Sequence, residues 1–337
     1  MTRLAVFVGL DYHQHSVQVC VMNAAGQVLV NRKCANDWRV VAACVPQETD
    51  AVHAAIEACG GAAALADELV EHARWLVHLA HPGYVHRIKQ SPDKTDYSDA
   101  RLLADLERVG YLPQVWHAPE RIRELRRLVR YRQQLSTMHR SVKLRIRALL
   151  RDHRLDFTEA RPWTQSWLSW VSQTVALPEH SRWIMNEHLK ELANLKERLH
   201  GVEQRLAKVA QGDHLIAQLL AIPGVGLITA VTIRAEIGRF DRFRNGKQLA
   251  RFCGLSPRNA SSGQRQADAG LIKAGNNELR RVLTQAAHRL VRYEPRWQQL
   301  ACQLKQRGKP TPLVVAAVAN RWMRTLYHQL QSYGLAA

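Results

Sequence analysis

The first 110 residues switch between two hydrophobic periods, and the order of the switches leaves few folds open. LAVFVGL (4–10) is an apolar, β-rich run that ends at Asp11, SVQVCVMNA (16–24) is a second, and QVLVNRKC (27–34) follows after the turn residues Ala25 and Gly26. Three strands with such short connections read as an antiparallel meander. A helix is then expected near 37–44, a strand over AVHAAIEA (51–58), a helix over GAAALADELVEHA (61–73) and a strand over RWLVHLA (74–80). Strands separated by helices pair in parallel through a crossover. A loop holding Pro82, Gly83 and Pro92 leads into TDYSDARLLADLERVG (95–110), which has helical spacing and a glycine where a C-cap falls.

The resulting order, β-β-β-α-β-α-β-α, predicts an α/β domain of RNase H-like topology over residues 1–112. Residues 113–119 (PQVWHAP) read as a linker, and 120–154 as one long basic helix with Leu125, Leu128, Leu135, Leu144 and Leu149 at helical intervals. A stretch with Trp163, Trp167, Trp170 and Trp183 precedes a second long helix over 185–210, whose leucines at 189, 192, 195, 199 and 206 approximate heptads. These two helices are expected to form an antiparallel hairpin or coiled coil, within one chain or between chains, making 113–212 a basic helical connector. From 213 to 337 the chain reads as a mainly helical domain interrupted by a Gly/Ser/Arg-rich loop at 254–270.

Charge divides the chain in the same place. The formal net charge is +19, yet residues 1–110 hold 10 Lys and Arg against 13 Asp and Glu, and the remainder holds 38 against 16. Basic surface on that scale suits a phosphate backbone, because each neutralised phosphate releases counterions; a solvated charged face or an anionic membrane surface is the blander reading. Six cysteines without a CxxC pair argue against a zinc ribbon and against a secreted disulfide framework, so they are read as reduced, mostly buried thiols. With no cleavable leader pattern and no span-length apolar segment, a cytoplasmic location is expected.

Four carboxylates stand out against that background. Asp11 and Glu57 fall at the ends of strands on one edge of the expected sheet, and Asp96 and Asp99 lie three apart on one face of the helix expected to cross that edge. Singly, each has an ordinary explanation as a turn cap, a helix start or a helix N-terminal charge. Together they would repel unless cations neutralise them, and hard oxygen donors suit Mg²⁺ or Mn²⁺, with two ions as the arrangement for phosphodiester displacement. Asp93, Asp105, Glu68 and Glu71 are assigned to the surface, and His13 and His15 to the turn after Asp11 rather than to a metal.

The basic half supplies the complementary features. LLAIPGVGLITAVTIRAEIG (219–238) has a helix-hairpin-helix pattern, in which Gly224 and Gly226 allow close backbone approach and the following helix offers N–H groups to a phosphate; an ordinary interhelical turn is the alternative. Lys94, Arg126, Arg130, Lys143 and Arg147 are candidate nucleic-acid contacts, as are Arg258, Arg265 and Lys273 around the loop that carries Ser256, Ser261, Ser262 and Gly263. Composition alone favours a flexible phosphate-binding loop there over a nucleophile. Trp163, Trp167, Trp170, Trp297 and Trp322 are read as core or interface anchors rather than base-stacking platforms.

VGLDYHQHSVQVCVMNAAGQV, AIEACGG and KTDYSDARLLADL resemble the signature blocks of transposases of insertion-sequence family one-ten and its eleven-eleven branch, and GLSPRNASSG with IKAGNNELRR resembles their second signature. The resemblance implies a RuvC-like RNase H domain with an Asp-Glu-Asp-Asp quartet, matched here by Asp11, Glu57, Asp96 and Asp99. It also implies a C-terminal serine, placed before a glycine, that attacks DNA covalently; Ser262 is the match, with Ser261 one register away. A dimer or tetramer and guidance by a non-coding bridge RNA follow from the same likeness, and no membrane is involved. Two other functions stay open: a Holliday-junction resolvase, which uses a similar quartet but hydrolyses with water, and a non-enzymatic nucleic-acid scaffold.

Overall fold

The computed structural model describes residues 5–88, 95–156, 160–259, 268–272 and 275–331. It forms two compact units, Met1–Ala118 and Pro119–Ala337.

The first unit is built on six strands, β1 (Ala5–Tyr12), β2 (Ser16–Asn23), β3 (Val28–Ala35), β4 (Ala51–Glu57), β5 (Leu76–Ala80) and β6 (Gln114–Val115), in the sheet order β3-β2-β1-β4-β5-β6. The β1-β2-β3 meander is antiparallel, β4 and β5 continue parallel to β1, and β6 closes the far edge antiparallel to β5. Helices α1 (Trp38–Ala42), α2 (Ala62–Ala73), α3 (Pro82–Ile88) and α4 (Asp96–Arg108) complete the unit. Alternation divides each strand between two faces. Val6, Val8 and Leu10 pack with Val17, Val19, Ile56, Leu65 and Leu69 on the α2 side. On the other side Cys20 and Met22 meet Ala100 and Ala104 of α4, and Ala55 joins Leu103 and Leu106.

Two elements depart from the sequence expectation. The loop at Pro82 is a helix, for which Pro82 at the first position is a favourable start. The expected linker at 113–119 contains β6, a strand of only two residues and too short to show a period.

The second unit opens with α5 (Glu120–Asp152), then α6 (Gln165–Ser169) and a π-helical turn over Trp170–Thr174, followed by α7 (Glu179–Gln211). α5 and α7 form an antiparallel hairpin within the chain. Leu135, Val142, Ile146 and Leu150 of α5 interlock with Met185, Leu192, Leu195 and Val202 of α7, and Arg132 donates to Glu203 at 2.7 Å. Trp167 is buried at the tip of the hairpin with Trp163 and Trp170 packed beside it, which fits anchors rather than platforms.

The remainder is α8 (His214–Leu220), α9 (Leu227–Ile237), α10 (Gly246–Phe252), the two-stranded ladder β7 (Pro257–Asn259) and β8 (Asp268–Leu271), α11 (Asn277–Tyr293), α12 (Pro295–Gln306) and α13 (Thr311–Leu330). Every residue of α9 from Ala230 to Ile237 is buried, so this helix is the axis of the C-terminal core. The helices expected to be a separate connector belong to the same compact unit, because Leu125 and Val129 of α5 and Leu206 of α7 enter that core. No helix among the described residues is long and apolar enough to cross a membrane.

Candidate functional site

Asp11 lies inside β1, one residue before its end, opposite Gln18 of β2. Its neighbour in the parallel direction is β4, where Leu10 pairs with Ile56 and Glu57 is the next and last residue. Asp11 and Glu57 therefore both leave the sheet on the face that carries Gly9 and Ala55, which is the face α4 covers. α4 begins with Asp96 and Asp99 in its first turn, capped by Thr95, whose side chain accepts from the Ser98 N–H at 3.1 Å. The four expected carboxylates are thus brought to one end of one sheet face. Their mutual influence registers at Asp11, whose carboxyl is pushed above its ordinary range by burial first and then by the charges of Asp96, Asp99 and Glu57, with His13 opposing the rise.

Gly9 makes this convergence possible. A Cβ at that position would stand 1.9 Å from the Ala100 carbonyl oxygen and 2.5 Å from the Ala104 nitrogen, so α4 rests its backbone directly on β1. The first turn of α4 is tied to the sheet by a short chain of amides. Buried Gln18 donates to Asn31 at 2.7 Å, and Asn31 donates to the Tyr97 carbonyl at 3.1 Å. Nothing in the sequence pattern singles out Gln18 or Asn31, because their role depends on strand register.

His13 lies in the turn after β1, as expected, but its ring reaches back to the carboxylates. Its Nε2 lies 3.4 Å from Asp11 Oδ2 and 3.4 Å from Asp96 Oδ2. The period of two places residues 11 and 13 on the same side of an extended chain, and that spacing was the available signal. His15 is exposed and stands outside this group. Lys33 Nζ approaches Asp96 Oδ2 at 3.5 Å from β3, whose Lys33 pairs with Gln18. Asp11, His13 and Asp96 offer one donor atom each, all within 4.8 Å of one another, a set able to hold a metal ion.

The basic candidates divide by what the structure does with them. Arg126 donates to the Ala235 carbonyl at 2.6 Å, and Arg130 grips the buried Glu236 carboxylate through two contacts of 3.0 Å, so both link α5 to α9 within the protein. Lys143 stands 4.8 Å over the Trp163 ring, and burial first, then Lys196, holds its ammonium below the ordinary lysine range. Arg147 is exposed and lines a cavity of about 410 Å³ with Arg151, Arg154 and Trp167. Gly224 has φ +84°, and both Gly224 and Gly226 lie against Arg289 of α11. Gly226 is the N-cap of α9 and supplies no side-chain hydrogen bond, which leaves that helix start without a side-chain cap.

Arg258 is exposed on β7. Lys94, Ser261, Ser262, Arg265 and Lys273 lie outside the described residues. What flanks them is described: a Cβ on Gly275 would meet the Gly254 nitrogen at 2.7 Å, so the GLSPRN and KAGNN blocks abut backbone to backbone. Arg280 secures that junction by donating to the Ile272 carbonyl at 2.9 Å.

Both halves match known families. Residues 8–154 match a family model described as a transposase and named for its DEDD residues, and residues 216–302 match one described as the transposase IS116/IS110/IS902 family. The chain is 27% identical over 297 residues to the transposase for insertion sequence element IS1111A of Coxiella burnetii, covering 85% of this chain and 78% of that one. It is 31% identical over 286 residues to a probable family 20 transposase of Pseudomonas aeruginosa, covering 81% and 82%. The chain belongs to the IS110/IS116 family of transposases. A further relative of this transposase, from insertion sequence element IS1328 of Yersinia enterocolitica, is 24% identical over 83% of this chain and 82% of its own. The DEDD-named match spans Asp11, Glu57, Asp96 and Asp99, and the second match spans the described elements from α8 through most of α12. An insertion-sequence transposase is an enzyme acting on DNA, which accounts for the charge difference between its two halves.

Proposed function

We propose that this transposase breaks and rejoins DNA with a nucleophilic serine, Ser262, working with the quartet Asp11, Glu57, Asp96 and Asp99 on an RNase H-like platform. The observation that carries the quartet's part of this reading is the gathering of four like charges around Asp11, achieved by seating α4 on Gly9 and opposed by burial and repulsion, while Ser262 rests on the family likeness. Such an arrangement is costly unless cations enter it. The donors fit: Asp11 and Asp96 each offer a carboxylate oxygen within 4.8 Å of the other, and hard oxygens select Mg²⁺ or Mn²⁺. Two such ions bound there would neutralise the acids and stabilise the oxygens that gain charge during phosphodiester displacement.

The serine step balances without another reactant. Ser262 Oγ bonds to phosphorus, the bond from phosphorus to one DNA oxygen breaks, the serine proton passes to a base, and the departing oxygen takes a proton to become a free hydroxyl. The phosphoserine ester conserves the broken linkage until the hydroxyl of another strand attacks in reverse. Arg258, Arg265 and Lys273 are assigned to the non-bridging oxygens, and the uncapped start of α9 behind Gly224 and Gly226 to a neighbouring DNA phosphate in helix-hairpin-helix fashion. The functional division follows as 1–112 for the quartet, 113–212 for a basic connector and 213–337 for the serine-bearing part. Exposed cations of α5, Arg147 among them, are assigned to nucleic acid. A bridge RNA and a homodimer or homotetramer are proposed from the family likeness.

The test is strand cleavage of labelled element-end DNA by full-length protein with divalent metal and its copurifying RNA, read on denaturing gels for a protein–DNA adduct. Ser262→Ala should give neither adduct nor joined product, Ser261→Ala should give both, and Asp11→Asn should leave DNA intact. Full-rate cleavage by Ser262→Ala without an adduct makes water the nucleophile, as in a resolvase. Retained activity after Asp11→Ala and Asp99→Ala together removes the metal mechanism. Sequencing the copurified RNA tests guidance, and recovery of random host transcripts alone refutes it.

A further inference from the structure

His13 stands in the turn after β1 and brings its ring to two of the carboxylates at once. Its Nε2 is equidistant, at 3.4 Å, from Asp11 Oδ2 and Asp96 Oδ2, beyond good hydrogen-bond range of either. Donors about 2.1 Å from an ion stand about 3 Å apart in adjacent octahedral positions, so each His13–carboxylate separation of 3.4 Å is close to that of two donors sharing one ion, and all three atoms lie within 4.8 Å of one another. The backbone that carries the ring is also fixed. The His13 N–H donates to the Ser16 carbonyl at 2.9 Å, and Asn36 Nδ2 donates to the His13 carbonyl at 3.2 Å, which fixes the turn that presents the imidazole. Its side chain is 47% exposed against 19% for Asp11, so the imidazole is open to solvent beside a half-buried carboxylate. Lys33 Nζ makes its ion pair with Asp96, at 3.5 Å.

We propose that His13 is a nitrogen ligand of the divalent-metal site, sharing one ion with Asp11 and Asp96 and turning the preference of that position from Mg²⁺ toward Mn²⁺. The inference rests on the metal reading of the carboxylates and adds to it a fifth, non-acidic donor. Imidazole nitrogen is a poorer match for Mg²⁺ than carboxylate oxygen and a better one for later first-row ions. A site of oxygens alone discriminates less between Mg²⁺ and Mn²⁺ than one that includes this ring.

The experiment uses untagged full-length protein loaded with Mn²⁺, with pulsed electron paramagnetic resonance reading the nitrogen-14 coupling of a ligated ring and calorimetry measuring Mn²⁺ and Mg²⁺ affinity. Wild type and His15→Ala should show the coupling. His13→Ala should lose it and bind Mn²⁺ at least about tenfold more weakly, since even indirect disturbance of a ligand set costs that much, with a smaller change for Mg²⁺. His13→Gln, which keeps a polar side chain but no imidazole, should also lose the coupling. Unchanged melting of both variants separates ligand loss from misfolding. Mn²⁺ that binds in an Asp11-dependent manner without nitrogen coupling, or with equal affinity in His13→Ala, overturns the assignment of His13 while sparing the metal reading. Absence of Asp11-dependent Mn²⁺ binding overturns both.

Discussion

Replacing Gly9 by alanine adds one methyl group, and the structure places that group where α4 already is. The new Cβ would lie 1.9 Å from the Ala100 carbonyl oxygen and 2.5 Å from the Ala104 nitrogen, and neither atom belongs to a side chain able to rotate away. Restoring ordinary contact near 3.4 Å requires the helix to retreat by about 1.5 Å, because packed interiors leave no slack to absorb it. Overpacking of this kind costs about 1–3 kcal/mol, and a clash with two backbone atoms belongs at the upper end. For a unit of this size that corresponds to a fall in Tm of roughly 10 °C.

The functional effect should exceed the loss of stability. α4 carries Asp96 and Asp99 in its first turn, so its retreat withdraws two of the four carboxylates from Asp11. A misplacement of about 1 Å in a reacting constellation costs on the order of 100-fold in rate. The assay is single-turnover cleavage of element-end DNA at a temperature where circular dichroism shows Gly9→Ala folded. Gly60→Ala is the control, because a Cβ there meets nothing within 4 Å. If Gly9→Ala cleaves at the wild-type rate and melts with it, α4 does not set the carboxylate geometry and the reasoning fails.

Other perturbations separate roles that charge alone confuses. Asp11→Asn should raise the Tm of the metal-free protein at neutral pH. The folded pKa of Asp11 is raised above its unfolded value, so ionisation penalises the folded state; the gain of the variant should be full above the folded pKa and vanish as pH falls below about 3.8, the unfolded value. An unchanged Tm at neutral pH refutes this. Arg130→Ala strips Glu236, only 5% exposed, of its bidentate partner and should cost about 2 kcal/mol by denaturant titration, less than for a fully buried pair because Arg130 itself is 61% exposed. Arg147→Ala should leave stability alone yet lower the salt slope of nucleic-acid binding by about 1; a Tm loss with an unchanged slope reverses the assignment. Gly201→Ala, on an open face inside α7, should stabilise by about 0.5–1 kcal/mol. A loss there instead would indicate a surface that another chain covers.

Periodicity made the strands of the first unit legible, because valines at 6, 8, 17, 19 and 21 form one continuous buried face. It also placed Asp96 and Asp99 at a helix start, where Thr95 caps them. What stayed hidden depends on register and contact rather than on spacing along the chain. Gln18 and Asn31 matter because β2 and β3 align them beneath the first turn of α4, and no single strand reveals that alignment. Arg126 and Arg130 sit beside the buried Leu125 and Val129, so the sequence marks them as basic while only the packing of α5 on α9 commits them to the Ala235 carbonyl and the Glu236 carboxylate. His13 was legible in principle, since it shares parity with Asp11, but an exposed histidine in a turn has too many ordinary explanations to be singled out without Asp96 opposite it.

The charges around Asp11 constrain what the site binds. Four carboxylates contribute four negative charges when ionised, the start of α4 returns about half a positive charge, and Lys33 returns one. Leaving His13 out of the count, the deficit is about two and a half charges. One divalent ion nearly closes it, whereas two ions overshoot in the free protein. A bound phosphodiester adds a negative charge and brings the two-ion state close to neutrality. If the site takes two ions as proposed, the second would on this accounting be held chiefly when DNA is present. Gly9 sets the separation at which this balance operates, because a wider gap between α4 and β1 would weaken the repulsion and the demand for metal together.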